Sequence, residues 1–333
     1  MSHGSIAVVI PTSGQKESLL RTALRSVADQ TILPQELWLV TNGTLALQPV
    51  SGERFACTVI QGEAHDSLTR LINRALAASA AEYILLMNDD VWLEPKCLAN
   101  LRAVLQKYPA AGMVSAKLLR PDGCTLDSAG QMLSWACCPR ERGYGKRDRG
   151  QFEQLRQVFG GCGALVLYRR QMLEESAVSA GEYLDPGYHM FYEDLDIAWR
   201  AQRFGWRAWY TPHAIAYHHR GATARRQPLP ASGARRFAFT LLAPRLQAQV
   251  LANRYATLIK NLSIGQALLR SLPLAGFDAC VWTYCGLRQP ATVRYFFSLI
   301  RPALRSAWAQ RRLLGQRLRQ RRQKSPGRGT SAS

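Results

Sequence analysis

The chain has 333 residues, of which 47% are hydrophobic, enough to bury a full core, and this excludes a disordered or fibrous protein. Its net charge of +20 is unevenly spread: residues 221–333 hold 20 Lys+Arg against one acid, Asp278, a balance of +19, which leaves 1–220 at +1. The expected organisation is a near-neutral domain over 1–220, a basic helical region over 221–324 and a disordered tail over 325–333.

The start, MSHGSIAVVIPTSG, lacks a basic segment followed by a long apolar core, so no signal peptide is read. Ile6–Ile10 is a β-branched run closed by Pro11-Thr12-Ser13-Gly14, and a helical pattern follows from Leu19 to Ala28. Leu37–Val40 reads as a second strand stopped by Asn42-Gly43, and Val59-Ile60 as a short third. A helix is expected over 66–80, opening at Asp66 or Ser67 as N-cap, and Tyr83–Met87 as the strand after it. Residues 95–108 complete the alternation, which argues for a parallel sheet with helices on both faces. From 120 to 157 the chain reads as polar and irregular, before a strand at Ala164–Tyr168 and a helix opening in MFYEDLDIAWRAQRFG.

In the rear, 245–261 and 265–272 have helical periodicity, and Leu304, Ala307, Trp308, Leu314 and Leu318 fall on one stripe of a further helix. The longest mostly apolar stretch, Leu272–Cys285, contains Asp278 and is too short to span a bilayer. The eight cysteines form no CxxC pair, which points to free thiols in a reducing compartment. A cytoplasmic protein is expected.

Chemistry concentrates in three places. The apolar run ending at Met87 meets Asn88-Asp89-Asp90 abruptly, and adjacent acids at the end of a buried strand need a cation, a hydrogen bond or water. Strand ends of an α/β sheet are also where ligands bind, and a hard divalent cation shared with substrate phosphates accounts for the pair. A second cluster, Glu193, Asp194 and Asp196, opens the helix after Tyr188-His189, and His218-His219 follow further on. One acid pair can hold metal-phosphate, another acid can serve as a base, and a histidine can add a metal ligand.

Each of these has a plainer rival. Asp89-Asp90 could precede a helix beginning at Pro95, the second cluster could be a solvated helix start, and a lone histidine is often structural. Gly160-Gly161-Cys162-Gly163 precedes a strand instead of following one, so it is no dinucleotide fingerprint.

In order, VVIPT, LWLVTNGT, NDDV, GGCGALVLYRR, the long segment from YLDPGYHMFYEDLD to YHHRGAT, and LANRYATLIKN resemble family 2 glycosyltransferases of the GT-A fold, above all the bacterial rhamnosyltransferase-like branch. The series covers about residues 5–261. The resemblance implies a Rossmann-like mixed sheet with a basic C-terminal helical extension, and inverting transfer from a nucleotide-sugar. Asp90 matches the last acid of the DXD motif, which binds Mg2+ or Mn2+ on the donor diphosphate; Asn88 stands at the motif's first position and Asp89 at its variable middle. Asp194 matches the catalytic base, Glu193 an acceptor-orienting acid and His218 a further metal ligand. By the same resemblance Pro11, Thr12, Thr41, Asn42 and Asn73 belong to the donor side, and Gly161 and Tyr192 to the acceptor side. One departure stands at Thr41, where the family usually has the Asp that recognises the base.

By the same resemblance the expected donor is dTDP-rhamnose. The acceptor is a hydroxyl of a glycan or of a polyprenyl-diphosphate-linked glycan, such as a lipopolysaccharide O-antigen. Rival readings are a hexosyl or galactofuranosyl transferase using a UDP-sugar, a nucleotidyltransferase, and a basic nucleic-acid-binding protein with a degenerate α/β domain. The rear lacks zinc spacing and stacking motifs, so an anionic membrane surface, on the inner face of the plasma membrane, is expected as its partner in place of nucleic acid.

Overall fold

The structure, a computed structural model, describes residues 4–43, 45, 56–63, 65–220 and 238–324. The expected tail at 325–333, the 220/221 boundary's far side, Thr44, and Gly221 and Thr223 after His218 lie outside the described residues.

The first half runs β1 (Ile6–Pro11), α1 (Glu17–Ala28), β2 (Glu36–Thr41), β3 (Ala56–Gln61), α2 (Leu68–Ala78), β4 (Tyr83–Met87), β5 (Val91–Leu93), α3 (Cys97–Lys107) and β6 (Ala111–Leu119). Short strands β7 (Leu126–Ser128), β8 (Gln131–Leu133), β9 (Pro139–Glu141) and β10 (Arg156–Val158) follow, then β11 (Leu165–Arg169), α4 (Arg170–Ser176), α5 (Glu193–Arg203) and β12 (Arg207–His218). The rear holds α6 (Pro244–Asn261), α7 (Ile264–Leu269), α8 (Ser271–Arg288) and α9 (Pro290–Lys324).

The main sheet has the order β10-β12-β6-β11-β4-β1-β2-β3, with β5 on β12 and β7 on β6. Strands β1 to β4 are parallel, β11 lies antiparallel between β4 and β6, and β12 runs parallel to β6. The mixed sheet is thus the one expected. Side chains alternate between its faces: Ile6, Val8 and Ile10 join α1 and α3 in one core, while Ala7 and Val9 join α2 and α5 in the other. The α2 start matches expectation, since the Ser67 hydroxyl accepts from the Arg70 N–H.

Three elements were not anticipated. All nine residues of β6 are buried, including Lys117, whose ammonium meets Asp148 at 2.9 Å and also Glu153. Pro212 lies inside β12, where the pairing with β6 skips from Thr211 to Ile215, so an irregularity takes up the missing N–H. The stretch 120–157 carries four short strands, two of them the β8–β9 hairpin.

The rear is part of the same body. Leu314 and Leu318 of α9 pack with the Ala7 and Val9 core, Leu304 packs on Leu251 and Phe296, and Ala307 is buried with Tyr188 and Ala256. The stripe expected to face lipid therefore faces protein, and only Trp308 among its members is well exposed, at 52%. Several of the helix's arginines are also internal ties: Arg311, Arg317 and Arg321 donate to the carbonyls of Leu262, Glu174 and Phe204.

Candidate active site

The C-terminal ends of β1, β2 and β4 open onto one edge of the sheet. There the chain turns sharply after β4, with the Asn88 N–H donating to the Ala164 carbonyl at 2.9 Å and the Val91 N–H to the Asn88 carbonyl at 3.2 Å. Thr12, at the end of β1, donates its hydroxyl to Asp89 at 2.6 Å. Burial raises the pKa of Asp89, against the Thr12 hydrogen bond. Asp89 is thereby tied to the floor, while Asp90 points elsewhere.

Pairing of β5 with β12 sets His218 opposite Val91, and this register brings the imidazole to Asp90. His218 Nε2 lies 3.2 Å from Asp90 Oδ1, and Nδ1 lies 2.8 Å from Asp127 Oδ2. Asp127 is fully buried and also receives the Arg220 guanidinium. Burial works against the charged form of both partners. The hydrogen bonds and charges outweigh it, so the pKa of Asp127 is lowered and that of His218 is raised.

These residues fit a divalent cation. A buried carboxylate that holds one imidazole nitrogen and leaves the other facing a second carboxylate is the arrangement that orients metal-binding histidines. Among the described residues no group of three His, Cys, Asp or Glu converges on a metal position. Asp90 and His218 thus form a two-donor half-site, suited to Mg2+ or Mn2+ that takes its remaining ligands from water and phosphate oxygens.

The second acid cluster opens α5. Phe191 and Tyr192, just before it, have φ of 68° and 73°, the left-handed region that non-glycine residues enter at about 1–3 kcal/mol each. Asn253 of α6 braces the turn by donating its amide to the Met190 and Phe191 carbonyls, both at 2.9 Å. Asp194, half-buried, accepts from the Leu195 N–H at 2.7 Å, the Gln131 amide at 2.9 Å and the Gly163 N–H at 3.2 Å. Glu193 has a buried Oε2 with no hydrogen-bond partner.

Burial raises both pKa values, and the two carboxyls are near neighbours. Hydrogen bonding decides between them: the donors around Asp194 stabilise its carboxylate, so Glu193 keeps the proton and Asp194 carries the charge. A carboxylate with a raised pKa, at a helix N-terminus, is suited to accept a proton. The two motifs meet through Gly163-Ala164, since Gly163 donates to Asp194 and Ala164 accepts from Asn88. A Cβ on Gly163 would lie 3.1 Å from the Asp194 carboxylate, a close approach that favours glycine.

The structure thus gathers Thr12, Asn88, Asp89, Asp90, His218, Glu193 and Asp194 along one edge, with Pro11 ending β1 beside them. Other expected site residues are occupied elsewhere. Thr41 is fully buried, and its hydroxyl accepts from the Gly43 N–H at 3.0 Å, so it shapes the turn after β2 instead of presenting a base-reading group. Asn42 donates to the Asp66 carbonyl at 3.1 Å. Asn73 exchanges two hydrogen bonds with the backbone of Leu184, which makes it a clamp on that loop. Gly161 packs on Val166, and Gly163 is the glycine against the Asp194 carboxylate. Tyr192 is 7% exposed with its phenol beside Cys138 and Arg254.

Three participants had no sequence signal, Asp127, Gln131 and Glu141, whereas Gly163 lay within the GGCGALVLYRR segment without being singled out. Glu141 is bonded to the Ser128 hydroxyl, and its pKa is pushed up to about 7, first by burial and further by the charge of Asp194. Asp127, Gln131 and Glu141 sit in or beside three-residue strands too short to show periodicity.

The model of the family described as Glycosyl transferase family 2 matches residues 7–176. Over 243 residues the chain is 26% identical to a Sinorhizobium fredii protein, Uncharacterized protein y4gI, an alignment covering 69% of this chain and 26% of that one. It is 28% identical over 160 residues to the N-acetylglucosaminyl-diphospho-decaprenol L-rhamnosyltransferase of Mycobacterium tuberculosis, covering 44% of this chain and 50% of the relative. The chain therefore spans half or less of the length of these relatives.

Its fold is similar to that of S. aureus TarS, with a TM-score of 0.56 at 16% identity over 94% of this chain and 52% of that one. It is similar to GalNAc-T7 with UDP, GalNAc and Mn2+, at 0.55 and 14% over 77% and 48%. The mannosyltransferase PcManGT from Pyrobaculum calidifontis, in complex with GDP-Man and Mn2+, gives 0.50 and 16% over 98% and 76%. These likenesses, with the mixed sheet and C-terminal helices, show the GT-A fold.

Proposed function

The chain belongs to glycosyl transferase family 2, and we propose that it catalyses inverting, metal-dependent sugar transfer from a nucleotide-sugar to an acceptor hydroxyl. The observation that carries this reading is the Gly163-Ala164 bridge, which sets a proton-accepting carboxylate, Asp194, beside the turn bearing Asp89 and Asp90. Asp194 accepts the proton of the acceptor hydroxyl as that oxygen bonds to the anomeric carbon, and the bond from that carbon to the nucleoside diphosphate oxygen breaks. Glu193, protonated, is free to donate a hydrogen bond to the acceptor. Thr12 and Asp89 form the floor under the donor, while Asp127 holds His218 so that Nε2 faces Asp90. Mg2+ or Mn2+, held by Asp90 and His218, would supply positive charge to the departing diphosphate.

The donor is dTDP-rhamnose and the acceptor a polyprenyl-diphosphate-linked or cell-surface glycan, a reading supported by the rhamnosyltransferase relative and the lipid-linked acceptor in its name. A UDP-sugar is the second reading, favoured by Thr41: a buried turn hydroxyl gives little basis for telling thymine from uracil.

The test is ligand-observed NMR of the whole chain with Mg2+ or Mn2+ against a panel of nucleotide-sugars, followed by chromatography of the products. Binding of dTDP-rhamnose and release of nucleoside diphosphate are expected. Binding of UDP-sugars alone would overturn the donor, and release of pyrophosphate would overturn the reaction class.

A further inference from the structure

The leucines of the α9 stripe pack against protein, yet the rear still exposes apolar side chains on α7 and α8. Ile264, Leu268, Leu269, Leu272 and Leu287 are 70–83% exposed, and Phe297 at the start of α9 is 66% exposed. Along α8 the outward positions from Leu272 to Leu287 carry no charge. The one acid of the helix, Asp278, turns inward to Arg254 at 2.9 Å. A helix of 18 residues is about 27 Å long, and between Leu272 and Leu287 its exposed positions are Ala275, Gly276, Ala279, Cys280, Thr283 and Gly286, so an uncharged face runs its length with the large apolar side chains at its two ends. No helix among the described residues is long and apolar enough to cross a membrane, which leaves a surface that lies on its partner.

Charge identifies the partner. Arg288, Arg294 and Arg301 are exposed along α8 and the start of α9, and Arg270 stacks on Trp135, 5.0 Å from the ring centroid. Trp135 is itself 63% exposed, an amphipathic ring beside a cation, as at water–lipid boundaries. From 238 to 324 the only acid is the paired Asp278. Two copies meeting through this face would bring arginine against arginine with no acid to answer it, whereas an anionic bilayer supplies the apolar phase and the counter-charge together. We propose that the α7–α8 face, rimmed by Trp135 and these arginines, docks on an anionic lipid surface.

The face also has a fixed relation to the chemistry. Trp135 sits at the tip of the β8–β9 hairpin, and Gln131 at its base donates to Asp194. The four steps from Gln131 to Trp135 span about 13 Å of extended chain, so docking holds Asp194 close to the headgroups. This last point, though not the docking itself, rests on transfer to a lipid-linked acceptor.

The test is co-sedimentation of the full chain with vesicles of phosphatidylcholine alone or with phosphatidylglycerol, beside analytical ultracentrifugation without lipid. Expected are binding to the anionic vesicles that weakens with salt, and about a tenfold or greater loss in the Leu268→Glu, Leu272→Glu double variant. Because both leucines are exposed, the variant should melt like the parent, and its donor binding should be unchanged. Equal binding to neutral vesicles, unchanged binding by the double variant, or a lipid-indifferent dimer that the variant dissociates would each overturn the proposal.

Discussion

Asn253→Ala tests whether the rear of the chain sets the geometry of Asp194, the proposed base. Asn253 is 4% exposed and donates two hydrogen bonds to the turn that precedes Glu193. Each is worth about 1 kcal/mol net, so the variant should lose about 2 kcal/mol of stability. The larger effect is on position. Phe191 and Tyr192 hold left-handed backbone conformations that cost about 1–3 kcal/mol apiece, and with the brace gone the turn can relax to ordinary φ. That relaxation re-aims Asp194, and a displacement of about 1 Å can cost roughly a hundredfold in rate. Turnover, donor affinity and thermal unfolding should be measured on the same preparations. We expect kcat to fall about ten- to a hundredfold, donor affinity to hold, and Tm to drop by a few degrees. A lower Tm with kcat intact would refute the positioning argument and leave Asn253 a purely structural residue.

Gln131→Leu removes a hydrogen bond that stabilises the Asp194 carboxylate, so the acidic limb of the pH–rate profile should move to higher pH, as followed by initial rates from pH 5 to 9. Glu141, with its pKa raised to about 7, keeps its proton better folded than unfolded. Its contribution to stability is therefore complete below the unfolded value of about 4.5 and is lost as pH rises through about 7. Tm should fall across that window, and Glu141→Gln should flatten the slope. Asp127→Asn leaves the donor half-site in place but loosens His218, and should weaken Mn2+ binding about 10–100-fold by calorimetry; chelation by EDTA should abolish transfer. Lys260→Met leaves the buried Asp185 and Asp196 without their ammonium and should cost about 3–5 kcal/mol in chemical denaturation.

The parallel strands were legible because β1, β2 and β4 are compact apolar runs that stop at Pro, Asn-Gly or Asn-Asp. Strand β6 escaped because Lys117 breaks its apolar run and its charge is answered only by Asp148 and Glu153, some 30 residues away. Strand β12 escaped because a proline argues against a central strand unless an irregularity accommodates it. Within the site, Asp90, Asp194 and His218 could be marked by type and order, but their supports could not. Asp127 and Gln131 reach the site only through tertiary pairing, and nothing local distinguishes them. Thr41 and Asn73 show how a polar side chain can serve backbone, Thr41 the turn that follows its own strand and Asn73, from within α2, the distant Leu184. On α9 the leucine stripe was real, yet a period of 3.6 says which residues share a face and not what covers it.

The dependence of the 185–196 segment on α6 also orders events during synthesis. Asp185, Tyr188, Phe191 and Asp196 find Lys260, Thr257, Asn253 and Asn261 only when a stretch more than 60 residues downstream has left the ribosome. At about 5–20 residues per second that delay lasts several seconds, during which the β1–β4 sheet can already assemble. A nascent chain can thus form the turn of Asp89 and Asp90 at the end of β4 before the segment bearing Asp194 is braced by α6.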